Sequence, residues 1–130
     1  MTRIPSMATE LSDSGEAEFK NLTEYLDYCC QQHKTPTYLE VADAIDVQAP
    51  HRIRRVAELL EALMEYDQKH HQPLRAALVV SKIRSGLPGK GFFLKAQALG
   101  LMPAVTAEEF HQQCLSNLFE RTANTIIEAQ

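Results

Sequence analysis

The sequence predicts a mostly α, α+β domain, and three observations predict it. Between Thr37 and Tyr66 a short helix with one apolar face, a turn and a longer amphipathic helix follow one another. The aliphatic run Leu74–Ser81 then reads as a strand with apolar residues on both faces. Gly86, Gly89 and Gly91 mark a tight tip after it, which projects Lys82, Arg84 and Lys90. Helix, turn, helix, strand and basic tip are, in that order, the pattern of a winged helix-turn-helix, here with an extra helix at each end.

A chain of 130 residues with 45% apolar content can bury one core. The expected organisation is a disordered polar tail over residues 1–12 and a single domain from 13 to 130, with its core in 37–93. The start, MTRIPSMATELSDSG, carries no apolar stretch of the kind a secretory signal needs. No apolar run approaches the roughly 20 residues of a membrane helix. Cys29, Cys30 and Cys114 are odd in number and two are adjacent, a poor disulfide framework that suits reduced thiols in a cytoplasm.

Net charge is −4, but it is uneven: −6 over residues 1–50, +5 over 51–95 and −3 over 96–130. The basic stretch coincides with the long helix, the strand and the tip. A basic patch of this kind can meet nucleic acid even on an acidic protein.

The first helix is expected from about Gly15 to Gln32, capped by Asp13 or Ser14, with Phe19, Leu22, Leu26 and Cys29 as its core stripe. Thr35-Pro36 ends it. Thr37-x-x-Glu40 is a capping box for a helix over Tyr38–Ile45. Pro50 suits the first position of the third helix, which runs to Tyr66 or slightly beyond. Ile53, Val56, Leu60 and Leu63 form its stripe, widened by Ala57, Leu59 and Met64. Arg52, Arg54 and Arg55 sit at its start, where natural helices favour acids, so an anion is expected there. Arg54 can instead pair with Glu58 at i,i+4. Residues 67–73 read as a polar loop. Phe92, Phe93, Ala96 and Leu99 form a short helix closed by Gly100, although either phenylalanine could end a return strand. Thr106-x-x-Glu109 caps the last helix, about 107–121 or beyond. Its stripe is Phe110, Cys114 and Leu118, continued by Ile126 and Ile127 if the helix persists.

Several chemistries are excluded. Cys29-Cys30 and His70-His71 lack the ligand spacing of a metal site. Gly89-Lys90 is not a phosphate loop: G-x-x-x-x-G-K-[ST] needs Gly where Arg84 stands and Ser or Thr where Gly91 stands. No nucleophile–base pair is recognisable, so neither catalysis nor a cofactor is expected.

Thr37-Tyr38-Leu39-Glu40-Val41-Ala42 resembles the T-Y-G-E-[IL]-A helix in the winged-helix DNA-binding domain of O6-alkylguanine-DNA alkyltransferases and alkyltransferase-like proteins. The resemblance covers less than half the chain. It implies DNA binding, with the arginine that enters the DNA stack matched by Arg52, or equally by Arg54 or Arg55. Leu74–Ser81 and Gly86–Gly91 are similar to that family's strand and wing. The family's P-C-H-R motif is absent, since Pro73-Leu74-Arg75-Ala76 stands there; alkyl transfer is therefore not implied. The leading expectation is a non-enzymatic, regulatory DNA-binding protein using Arg52, Arg54, Arg55, Lys82, Arg84 and Lys90. The alternative is a protein-interaction module on the same scaffold, self-associating or docking another protein.

Overall fold

The fold is that of a computed structural model, which describes residues 13–83 and 86–129, and side chains for 15–83 and 86–121. The expected tail over 1–12 lies outside the described residues. Among the described residues are five α-helices: α1 (Asp13–Gln31), α2 (Tyr38–Ala44), α3 (Arg52–Lys69), α4 (Lys90–Ala98) and α5 (Ala107–Ala129). No strand forms among the described residues.

Local signals placed the helices well. Glu40 N–H donates to the Thr37 hydroxyl at 3.2 Å while Thr37 N–H donates to the Glu40 carboxylate at 2.8 Å. Thr106 and Glu109 repeat the arrangement at α5, with both bonds at 3.1 Å. Gly100, at φ 73°, follows α4. Its N–H donates to Gln97 O at 3.0 Å, and Leu101 N–H donates to Ala96 O at 2.9 Å, which closes the helix with two reciprocal turns. α1 is described from Asp13, and the side chains of Asp13 and Ser14 lie outside the described residues.

One core draws on every helix. Leu22, Leu26 and Cys29 of α1 meet Val41 of α2, Val56, Leu59, Leu63 and Met64 of α3, and Phe92 and Phe93 of α4. Phe110, Cys114 and Leu118 of α5 close it. The side chains of Ile126 and Ile127 lie outside the described residues.

The expected strand at Leu74–Ser81 is corrected. Arg75–Leu78 is a short 3-10 turn, and Ala76 to Val80 are all buried. Ala77 N–H donates to Leu74 O and Val79 N–H to Ala76 O, so these amides are used inside the turn. The Arg75 N–H donates to the Asp67 carboxylate at 3.1 Å. Val80 N–H donates to Pro36 O at 2.9 Å, beside an isolated parallel bridge between Thr37 and Val80. A strand needs a partner along its length. Here the chain becomes helical at Lys90, so nothing returns to pair with it.

Four further expectations change. Asp67, expected in a polar loop, lies in the last turn of α3 and is fully buried. Ile53, expected in the core, is 53% exposed. The first helical residue of α3 is Arg52, not Pro50, because His51 takes a left-handed conformation (φ 63°, ψ 41°) just before it. At the glycine tip Ser81 N–H donates to Leu87 O at 2.7 Å, and only Gly86 of the three glycines has positive φ. Gly89 precedes α4 and Gly91 lies within it.

Candidate docking groove

The six sequence-predicted cations do not form one free basic face. Arg52 turns back into the α2–α3 connection, donating from Nε to Val47 O at 2.7 Å and from Nη2 to Asp43 at 2.8 Å. That bond ties the turn shut. Arg55 is held by Glu18 of α1 at 2.9 Å and by Glu58 at 3.4 Å. Burial opposes its charge, but the bonds to Glu18 and Glu58 outweigh it and raise its pKa. The Glu58 partner is thus Arg55 at i,i+3, and not Arg54. Arg54, Lys82 and Lys90 are exposed and make no ion pair with a described residue. Arg84 lies outside the described residues.

The outer surface of α3 carries acids that the arginines obscured in the sequence. Glu58, Glu61 and Glu65 recur at three- and four-residue spacing, so they share a face. Glu58 pairs with Arg55, and Glu65 pairs with Lys95 of α4. Glu61 is half-buried and makes no hydrogen bond or ion pair with any described residue. A shallow cleft at the start of α3 likewise mixes charges, with Arg54 and Arg55 beside Glu18 and Glu58.

Beside this acidic face lies a groove of about 220 Å³ between α3, the 81–91 segment and Tyr38. Ala57, Leu60, Met64, Ala76 and Phe92 give it an apolar lining, and Ile53, Ser81 and Glu61 border it. Two glycines line it. A Cβ on Gly89 would lie 3.2 Å from the Tyr38 hydroxyl, which accepts the Gly89 N–H at 3.0 Å. A Cβ on Gly91 would lie 3.4 Å from the Glu61 carboxylate. Ile53 reaches the groove because the heptad-like spacing of 53, 57, 60 and 64 defines a second apolar edge of α3, next to the edge that α1 covers. The sequence read both edges as one core stripe.

The remaining reactive side chains point to structural roles. Burial pushes the Cys114 thiol up to about 12 and raises that of Cys29. Burial, with the Cys29 hydrogen bond, raises Tyr25 to about 12. A thiolate is the nucleophilic form, and these sites suppress it. Cys30 Sγ lies 3.5 Å from Leu118 O as a donor. His70 stacks on Tyr66 at 4.0 Å, away from any ligand cluster. Among the described residues no group of three or more His, Cys, Asp or Glu side chains is placed to hold a metal. Nor is any described helix long and apolar enough to cross a membrane.

No family model, curated protein or solved structure matches the chain.

Proposed function

We propose that the protein is a non-enzymatic docking module, a helix-turn-helix scaffold that binds a protein segment in the groove between α3 and the start of α4. One observation carries this reading: an open apolar groove, bordered by a half-exposed Ile53 and by Glu61, which has no partner among the described residues, runs along an acidic helix face. If α3 lay lengthwise in a DNA groove, Glu58, Glu61 and Glu65 would face phosphates of like charge. Arg52 and Arg55 are also already committed to Asp43, Glu18 and Glu58. Apolar burial in a groove with polar rims is a common mode of peptide recognition.

The test is a photo-crosslinking residue placed at Ile53 and, separately, at Arg54, illuminated in cell extract. Adducts are then sorted by protease and nuclease sensitivity. Protein adducts at Ile53 that disappear when Ala57→Trp fills the groove are the expected result. Nucleic-acid adducts there would overturn the reading.

A second reading, winged-helix DNA binding, is favoured by one feature. Arg54 stands exposed in the first turn of α3, and no side chain caps that turn. Backbone N–H groups at such a start, with Arg54 and the exposed cations Lys82 and Lys90, suit phosphates. Fluorescence anisotropy with a mixed-sequence duplex at several salt concentrations tests it. Arg54→Ala should then reduce the salt slope by about one. A folded protein that fails to bind at low salt rules this second reading out.

A further inference from the structure

We propose that the groove takes a basic, apolar segment of a partner protein: one bulky aliphatic or aromatic side chain with a lysine or arginine within about one helical turn of it in sequence. This names the partner's chemistry for the docking reading above and rests on that reading.

The apolar half of the requirement comes from the groove's floor and size. Ala57, Leu60 and Met64 of α3 line it, with Phe92 of α4 opposite. At about 220 Å³ it is below the roughly 300–1,000 Å³ of sites that take drug-sized ligands, and it suits one or two side chains. Ile53 is 53% exposed at the border, where a covering side chain would take it out of water.

The basic half comes from Glu61. Its neighbours in the acidic row are already matched within the fold, Glu58 by Arg55 and Glu65 by Lys95. Glu61 stands between them and lines the groove itself, half-buried, with no hydrogen bond or ion pair to a described residue. Its carboxylate lies against the first turn of α4, where a Cβ on Gly91 would be 3.4 Å away. The exposed Lys82 and Lys90 do not pair with it.

An ionised carboxylate can only accept hydrogen bonds. A segment that seats an apolar side chain over Ala57 and Leu60 also removes water from Glu61. If the segment brings no donor, it leaves a charge stranded, and binding is penalised. A cation supplies both the donor and the opposite charge, and such bonds are roughly twice as strong as neutral ones. Ala57 and Glu61 are one helical turn apart, about 6 Å along the axis, so anchor and cation must be close neighbours in the partner. The same carboxylate rejects acidic and wholly apolar segments, which makes the groove selective.

A displayed library of random peptides of about 12 residues, selected on the full chain and counter-selected on Ala57→Trp, tests the proposal. The enriched peptides should share a leucine, isoleucine, methionine or phenylalanine with a lysine or arginine within about one helical turn. The best of them, made as a labelled synthetic peptide, should lose about tenfold or more in affinity on Glu61→Lys, read by fluorescence anisotropy. Replacing the peptide's basic residue by glutamate should cost wild type a similar factor. That acidic peptide should bind Glu61→Lys again, because opposite charges meet once more. The recovery also shows that the variant is folded.

Enriched peptides that depend on the groove but carry no basic residue near the apolar one overturn the proposal and leave the docking reading intact. So does an affinity indifferent to Glu61→Lys, or an acidic peptide that fails to recover. A selection that yields no groove-dependent peptide also overturns it. Protein adducts at Ile53 would then keep the docking reading, and their absence would remove that reading as well.

Discussion

Replacing Arg75 by methionine should cost about 3–5 kcal/mol of folding stability, the usual result of removing one partner from a buried ion pair. The structure sets this size. The Asp67 side chain is fully buried, and Arg75 satisfies it three times: from its backbone N–H at 3.1 Å, from Nε at 3.3 Å and from Nη2 at 2.8 Å. Burial opposes the Arg75 charge, yet the Asp67 bond and charge, with Asp27 behind them, hold its pKa above the ordinary value. Methionine retains the aliphatic stem but leaves the carboxylate one backbone donor in a dry site. The contact to Asp27, itself 57% exposed, is screened by water and adds at most about 1 kcal/mol. Against a total of about 5–15 kcal/mol for a domain, the loss is large. Urea unfolding followed by far-ultraviolet circular dichroism measures it, through the midpoint at constant slope. A paired Asp67→Leu, Arg75→Met variant should lose less than the two single changes together, since no charge is then stranded. A single-variant cost below about 1 kcal/mol would show that water reaches the pair. The account of why Leu74–Ser81 is a turn and not a strand would then fail. The same variant should weaken docking, because Ala76 follows Arg75 and lines the groove.

Three other outcomes follow from single contacts. His111 donates from Nε2 to Ala77 O at 2.9 Å, and burial, partly offset by that bond, lowers its pKa. The unfolded chain therefore binds the proton more readily than the fold does. This part of the stability is complete above the unfolded imidazole pKa and is lost as pH falls below about 6.5. Urea midpoints measured between pH 5 and pH 7.5 should show it, and His111→Gln should flatten that part of the profile. Cys29, Cys30 and Cys114 are all buried, so a thiol reagent at pH 8 should leave the native protein unlabelled and modify all three after unfolding, as mass spectrometry would read directly. Thr37→Ala removes the hydroxyl that accepts the Glu40 N–H and should cost about 1 kcal/mol in the same urea assay.

The sequence by itself determined the helices, because their signals are local. Apolar residues three and four apart on α1, α3 and α5, the boxes at Thr37 and Thr106, and the stop at Gly100 all act within about one helical turn. It also showed that Ala76–Val80 would be buried, but not in what conformation. An aliphatic run fits a strand or a turn equally well until its hydrogen-bond partners are known. Those partners lay outside the run: Asp67 for the Arg75 amide and Pro36 for the Val80 amide. The candidate site divides in the same way. Arg52, Arg54 and Arg55 are equivalent cations along the chain, and only tertiary structure separated them. Glu18, 37 residues away, claimed Arg55, and Asp43 claimed Arg52 across the α2–α3 turn. Ile53 read as core because periodicity reports which face of a helix is apolar, not how much of that face the rest of the protein covers. The groove lies along the edge of α3 that α1 leaves uncovered, with Gly89 and Gly91 on its facing wall.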